Sequence, residues 1–213
     1  MTGPGIDVVP ANEAPWEDLQ AVFGQRGLAH DCQCQWFKLR PAEWKSTTWE
    51  DRAASLRGQA NSGTPGAQTT GLLAYLAGEP VGWCAVEPRT AYPRLLGMRV
   101  PWAGRDEDRD DAGVWTVSCF ATRAGHRRRG VSRALARAAV DFARERGARS
   151  LEGYALETEP GREVAWGELY VGGRGVFEAA GFREVARPTP RRVVMRIDFA
   201  RATPPAPPPP SPG

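Results

Sequence analysis

The residues best suited to bind a ligand form a short basic turn, Arg127-Arg128-Arg129-Gly130-Val131-Ser132. A helix that begins at such a turn offers unpaired backbone N–H groups and a partial positive charge. Gly130 lets the backbone approach a ligand closely, and arginine supplies fork-shaped donors that suit phosphate. The turn therefore predicts an anion site of a kind that a pyrophosphate fits. It has no Gly-Lys-Ser/Thr and only one glycine of the dinucleotide fingerprint, so neither of those nucleotide motifs is present.

A buried strand and an amphipathic helix are the elements that must hold this turn. The residues between Gly113 and Gly125 include a mostly apolar run of β-branched and aromatic types, which predicts a strand covered on both faces. From Gly130 to Gly147, apolar residues recur at helical spacing and charged residues lie on or near the opposite face. The pattern predicts a helix of about five turns.

This strand, the R-x-x-G-x-S turn and the helix resemble the acyl-CoA-binding core of the GNAT superfamily of N-acyltransferases, whose usual turn is Q/R-x-x-G-x-G/A. Ser132 replaces the final small residue. The hairpin AYLAGEPVGWCAVEP, with Gly82 after its valine, resembles the hairpin before the CoA-binding strand. The run from Phe177 to Phe182 resembles the Y-x-x-x-G-F ending of that fold. The matches span residues 70–198.

The resemblance implies an α/β (α+β) fold with a mixed, mostly antiparallel central sheet, flanking helices and a splayed central strand pair. It also implies acetyl-CoA as co-substrate, its pantetheine arm on the central strand and its pyrophosphate on the turn. The implied pantetheine contacts are Cys119, Phe120, Ala121 and Thr122. The implied pyrophosphate contacts are Arg127, Arg128, Arg129, Gly130, Val131, Ser132 and Arg133.

The reaction implied is direct attack of a primary amine on the acetyl thioester, without a covalent enzyme intermediate. Phe177, counted among the cofactor contacts, stands where the family often has a tyrosine that protonates the leaving thiolate. Tyr154 or Tyr170 can supply a hydroxyl instead, or the thiolate takes a proton from water. Glu152, on a predicted strand beside the cleft, is the candidate general base or ammonium anchor; the alternative is a surface carboxylate paired with an arginine.

Large side chains collect in a loop-like region that includes Trp36 and Phe37, which either line a substrate pocket or pack against the core. Residues 88–112 are rich in proline and charge, and we expect a flexible, solvated excursion on the surface, with a cleft-bordering loop as the alternative. His30, Cys32 and Cys34 do not match a zinc pattern, so we expect no metal.

Length and composition fit one domain at residues 1–200, and the proline-rich segment 201–213 is expected to be disordered. The chain has no apparent signal or membrane span, so we expect a cytoplasmic protein with reduced cysteines. Its net charge is only +3, although residues 123–149 carry nine arginines. The expected partner is an amine-bearing small molecule or peptide, and we expect no association with a membrane. A catalytically silent acyl-CoA sensor and, less favoured, a nucleic-acid binder are the alternatives; the acceptor and the oligomeric state stay open.

Overall fold

The structure, a computed structural model, describes residues 5–158 and 166–200. Its strands are β1 (Ile6–Pro10), β2 (Gly71–Leu76), β3 (Glu79–Pro88), β4 (Val114–Thr122), β5 (Ser150–Leu156), β6 (Arg183–Thr189) and β7 (Arg192–Asp198). In these described residues they form a seven-stranded sheet in the order β1-β2-β3-β4-β5-β7-β6. All neighbours are antiparallel except β4 and β5, which are parallel. The predicted mixed, mostly antiparallel sheet is confirmed.

Helices cover both faces of the sheet. The α-helices are α1 (Trp16–Phe23), α2 (Leu28–Cys32), α3 (Pro41–Ser46), α4 (Trp49–Ala60), α5 (Pro93–Gly97), α6 (Val131–Glu145) and α7 (Arg174–Glu178). Shorter 3-10 turns are Ala11–Glu13, Arg89–Ala91, Val100–Trp102 and Trp166–Val171.

Helix α6 packs its apolar stripe on one face of the sheet, over β2, β3 and β4. Val131, Leu135, Ala139 and Phe142 are buried there. The helix lies so close to β3 that a Cβ atom on Gly82 would overlap the side chain of Val131. The glycine after the valine of the hairpin therefore has a packing reason, and the predicted helix is confirmed within a residue or two at each end.

The opposite face of the sheet has two separate covers. Helices α1 and α4 bury Leu19, Phe23 and Leu56 against Trp83 of β3. A second apolar cluster, over β5 and β7, contains Phe37, Tyr92 and Tyr154. The interpretation of the region around Trp36 and Phe37 as loop alone is therefore incomplete, because α2 and α3 bracket it.

The expectation of a flexible, solvated excursion at 88–112 is wrong for several residues between Arg89 and Arg105. Tyr92, Leu95 and Trp102 are buried, and the guanidinium groups of Arg89 and Arg105 lie almost wholly out of solvent. Arg89 and Arg105 pair with Glu152, and Glu107 pairs with Arg196. Four other charged residues of the segment are exposed as expected: Asp106, Asp108, Arg109 and Asp110. The predicted break at 159–161 and the tail at 201–213 lie outside the described residues.

Candidate active site

The turn between β4 and α6 is built to bring backbone N–H groups to one point. Gly130 precedes the helix in the left-handed conformation, with φ 84°, where glycine is favoured. The first helical hydrogen bond runs from the Ala134 N–H to the Gly130 carbonyl (3.0 Å), so the three N–H groups before it have no helical acceptor. The side chains of Arg129 and Arg133 are exposed beside them. The turn can therefore hold an anion by dipole, N–H groups and guanidinium groups together.

The strands that lead to this turn part from each other. The parallel pairing of β4 and β5 ends at Val117 and Gly153. Beyond that point β5 turns its edge to another segment, because the Leu156 N–H donates to the Gly172 carbonyl (2.9 Å). The β5-facing edge of β4 from Cys119 to Thr122 has no strand beside it among the described residues. The predicted splayed central pair is present.

A β-bulge marks the closed end of this gap. The register of β3 and β4 passes from Val86 opposite Val117 to Ala85 opposite Cys119, which leaves Ser118 without a partner on β3. Ser118 also follows the last residue of β4 that pairs with β5. Bulges interrupt the ladder and re-aim side chains, and they are common beside active sites. Ser118 thus has no residue directly opposite it on β3 or on β5.

A match to a known protein family accompanies this geometry. The family model described as "Acetyltransferase (GNAT) family" matches residues 29–167, which is more than half of the chain. The chain belongs to the GNAT acetyltransferase family.

Solved structures agree with the GNAT fold. The structure of yncA from Salmonella typhimurium with its cofactor acetyl-CoA is 13% identical, with a TM-score of 0.52, over 94% of this chain and 98% of that chain. An N-acetyltransferase from Staphylococcus aureus Mu50 is also 13% identical, with a TM-score of 0.50, over 91% of this chain and 98% of that one. No curated protein matches the chain. At this identity the likeness shows the fold alone.

Glu152 lies in the middle of the GNAT sheet but does not face an open cleft. Its side chain is 0% exposed. Arg105 and Arg196 form ion pairs with one of its oxygens, the second at 2.8 Å, while Arg89 lies 3.7 Å from the other. The predicted carboxylate–arginine pairing is therefore present, but in the interior rather than at the surface. Its predicted role as base or ammonium anchor stays a prediction that this arrangement does not favour.

Tyr154 belongs to the same buried network. Its hydroxyl donates to Glu152 (2.9 Å), and burial, followed by the charge of that carboxylate, raises the pKa of Tyr154 well above its usual value. A hydroxyl committed to a buried carboxylate is a poor proton donor to a ligand. The structure thus separates the two tyrosines that the sequence left as alternatives.

Tyr170 is half-buried on the 3-10 turn Trp166–Val171, which contacts both β4 and β5 where they part. Burial raises its pKa; nearby Cys119 acts in the same direction, whereas Arg192 and Arg94 oppose it. The turn that carries Tyr170 contacts β4, the strand that the family resemblance assigns to pantetheine. Tyr170 therefore stays protonated at neutral pH and lies beside the gap.

Phe177, in the position of the family tyrosine, is fully buried. Its ring packs edge-on against Phe120 and Phe182, with ring centroids 5.8 and 5.2 Å apart. A Cβ atom on Gly153 would overlap this ring, so the glycine makes room for it at the last paired residue of β5 with β4. Phe177 is thus part of the apolar core beside the point of separation, and its side chain offers no polar contact.

The residues predicted for pantetheine divide between the two faces of β4. Phe120 points into the α6 core, whereas Cys119 packs with the cluster under α1 and has some exposure. Ala121 is buried and Thr122 is half-buried at the open end of the gap. Any contact with pantetheine along this stretch therefore depends mainly on the backbone.

Cys119 is not arranged as a nucleophile. A hydrogen bond with Cys34 and then burial raise the pKa of the Cys119 thiol well above its usual value. The Cys34 sulfur in turn accepts a hydrogen bond from the Trp83 indole (3.1 Å). Since only the thiolate attacks efficiently, this thiol is inert at neutral pH.

The predicted substrate residues Trp36 and Phe37 both have packing partners. Trp36 lies against Trp44, with ring centroids 5.0 Å apart, and the Arg94 guanidinium sits 3.9 Å from its ring centroid. Phe37 is buried and its ring contacts Tyr170 at 6.0 Å. Phe37 thus supports Tyr170, while the half-buried Trp36 borders the same region.

One residue near the site has no sequence signal: Tyr92, which follows the 3-10 turn after β3. It is fully buried, and burial, followed by the charge of Glu87, raises its pKa well above the usual value. A hydrogen bond with the Ser118 hydroxyl at the bulge opposes this rise and lowers the pKa of Tyr92. Tyr92 lies in a segment whose prolines and charges predicted a solvated loop, so periodicity could not have placed it here.

The described residues include no group of three or more His, Cys, Asp or Glu side chains placed to hold a metal ion. Within the same residues, no helix has the length and apolar character needed to cross a membrane.

Replacing Glu152 with glutamine should destabilise the fold by about 3–5 kcal/mol, because three arginines then lose a buried countercharge. Urea unfolding followed by circular dichroism measures the change. Glu145→Gln, at the exposed end of α6, is the control and should shift stability by less than about 0.5 kcal/mol. A Glu152→Gln protein as stable as the control would show that the network is not structural.

Replacing Gly130 with glutamate should abolish acetyl-CoA binding, since a carboxylate would stand at the N–H groups and repel phosphate. The positive φ adds about 1–2 kcal/mol of strain. Gly147→Glu is a matched control: it has φ 79°, is exposed, and lies beyond the other end of α6. Calorimetric titration should show binding by the control alone; equal binding by both variants would contradict a phosphate site at Gly130.

Proposed function

We propose that this GNAT protein transfers an acetyl group from acetyl-CoA to a primary amine by direct attack within a ternary complex. The observation that carries the proposal is the unpaired edge of β4. This edge runs from Cys119, beside the bulge, to Thr122, and α6 begins after Gly130. The proposed site therefore has strand backbone at one end and an anion site at the other.

In this proposal the anion site and the open strand edge give acetyl-CoA one orientation. The pyrophosphate takes the turn from Arg127 to Arg133. The pantetheine amides pair with the β4 backbone at 119–122, as a β-strand would. The thioester then reaches the closed end of the gap at Ser118, where the last β4–β5 pair blocks further entry.

Tyr170 is the proposed proton donor in place of the tyrosine that Phe177 replaces. The amine nitrogen attacks the acetyl carbon, an N–C bond forms and the C–S bond breaks. The thiolate takes the proton of Tyr170, while the nitrogen loses its proton to solvent, which reprotonates the phenolate. Positively charged Arg94 and Arg192 favour the transient phenolate.

The inert Cys119 thiol supports direct attack over an acetyl-enzyme intermediate. The burial of Glu152 supports an amine that enters as the free base, since this carboxylate is already bound by arginines. The acceptor is an amine-bearing small molecule or a peptide.

One pair of observations favours a second function, a catalytically silent acyl-CoA sensor. Phe177 cannot donate a proton, and Glu152 is closed off from solvent. Such a protein binds acetyl-CoA on the same path but releases no thiol with any amine.

Changing Tyr170 to phenylalanine should lower kcat by roughly 100-fold or more, the usual contribution of a positioned acid, and leave acetyl-CoA affinity unchanged. The release of free CoA thiol from acetyl-CoA is followed with a panel of small amines, peptides and antibiotics that carry amino groups. Tyr75→Phe is the control, because its hydroxyl donates to Asp18 (2.8 Å) at the other edge of the sheet.

The outcomes distinguish the proposals. Turnover by wild type that persists in Tyr170→Phe would remove Tyr170 from the mechanism. Tight acetyl-CoA binding without turnover across the panel would favour the sensor, and no binding at millimolar acetyl-CoA would refute both.

A further inference from the structure

The tip of the β6–β7 hairpin lies beside the turn that carries Tyr170. The Arg191 guanidinium donates to the Glu168 carboxylate on that turn (2.7 Å). The Arg191 carbonyl accepts a hydrogen bond from the Glu157 N–H, at the end of β5 (3.0 Å). These two contacts fix the tip of the hairpin against the region where β5 has left β4.

Arg192, the first residue of β7, lies on the face of the sheet that Tyr170 covers. It pairs with Leu156 of β5, just as Val194 pairs with Tyr154. Directly opposite residues of antiparallel strands share a face, and so do residues two apart along one strand. Leu156, Tyr154 and Val194 belong to one apolar cluster, against which Tyr170 packs. Half-buried Arg192 therefore stands at the rim of this cluster.

The guanidinium group of Arg192 is left over when the charges near the hairpin are paired. Three carboxylates at this end of the sheet are each bound by an arginine other than Arg192: Glu157, Glu168 and Glu184. Arg192 forms no ion pair with any residue in 5–158 or 166–200. A half-buried cation without a countercharge costs free energy, which an anionic ligand would offset.

A second guanidinium group, that of Arg94, is fixed near the same tyrosine. Its Nε donates to the Leu39 carbonyl (2.8 Å), and its central carbon lies 3.9 Å from the ring centroid of Trp36. The Arg94 N–H donates to the Phe37 carbonyl (3.1 Å), and the Phe37 ring contacts that of Tyr170. Arg94 also has no ion pair within the described part of the chain. Its charge is therefore held in place and adds to that of Arg192.

The same region offers no free carboxylate to an ammonium group, as far as the described residues extend. Glu152 is buried and bound by arginines, and Glu168 is bound by Arg191. A polycationic acceptor would meet repulsion from Arg94 and Arg192 without a compensating anion. The surroundings thus favour an acceptor that brings its own negative charge.

We propose that the acceptor is an amine that also carries a carboxylate, with the α-amino acids as its simplest members, and that Arg192 binds this carboxylate. The inference rests on the proposed function, since it names the substrate class of the same site. A guanidinium group matches a carboxylate with two parallel N–H···O bonds. Arg192 is thus a substrate-binding residue, distinct from the proton donor Tyr170.

Matched acceptors isolate the contribution of the carboxylate. Each α-amino acid is compared with its α-carboxamide, which keeps the amine and the side chain but lacks the negative charge. With saturating acetyl-CoA, kcat/KM for wild type should be about 10- to 100-fold higher for the best amino acid than for its amide, the usual worth of a hydrogen bond to a charged group. Rates are referred to the free-base amine, because the amide has the lower amine pKa.

Replacing Arg192 with glutamine should remove this preference by lowering kcat/KM for the amino acid and leaving the amide unaffected. Replacing it with glutamate should reverse the preference, because two carboxylates repel each other. Arg183→Gln, an exposed arginine at the opposite end of the same hairpin, is the matched control and should keep the preference. A merely structural role of Arg192 would lower the rates with both acceptors alike.

The outcomes separate this inference from the proposed function. Equal kcat/KM for amino acids and their amides, or an undiminished preference in an Arg192→Gln protein that binds acetyl-CoA normally, would overturn the inference and leave the proposed function intact. A preference for ethanolamine phosphate over ethanolamine, without one for amino acids, would also overturn it. Release of no thiol with any amine would overturn the proposed function and this inference together.

Discussion

The separation of β4 from β5 after Val117 and Gly153 is the feature on which the rest of the site depends. A parallel pair that continued would satisfy the edge of β4 and leave no place for a ligand. Two features accompany the end of the pairing. Phe177 occupies the space above Gly153, and the residues around Gly172 take the hydrogen bonds of β5 beyond this point. The backbone of β4 is left with N–H and C=O groups that a ligand with amides can pair.

The bulge at Ser118 completes this arrangement. It interrupts the β3 register just where the β5 register ends, so Ser118 has no residue directly opposite it on either neighbouring strand. Among the described residues, the β5-facing edge of β4 is therefore open from Cys119 onward. The turn at Gly130, at the far end of the same strand, adds the charge complementarity that phosphate requires.

The network around Glu152 shows how a charged residue is used for architecture in this fold. Arg89 and Arg105 come from the segment after β3 and Arg196 from β7, so one carboxylate joins a long connection to two strands of the sheet. The same connection carries Tyr92 to the bulge. Fixing Glu152 in the interior thus helps to position the site even though the carboxylate does not face the gap.

Sequence patterns predicted the local elements well and the long-range partners poorly. The basic turn and helix α6 were predictable because their signals, periodicity and a positive-φ glycine, lie within one segment. The burial of Glu152 was not predictable. Alternation along β5 indicates which face of the sheet the side chain takes, but it does not show that arginines 47 residues before and 44 residues after Glu152 converge on it. The burial of Tyr92 was missed for the same reason. The residues that surround it come from β3, β4 and the segment between α2 and α3, whereas the residues next to it in the sequence include prolines and arginines.

The most direct test of the central claim is amide hydrogen exchange along β4. Acetyl-CoA should slow exchange at 119–122 and at the N-terminus of α6, because pantetheine pairs with the strand while pyrophosphate binds the turn. 3′-Phospho-ADP, which lacks pantetheine, should slow exchange at the turn alone. Equal protection by both ligands, or binding of acetyl-CoA without protection at 119–122, would contradict the account of β4 as the strand that receives the cofactor.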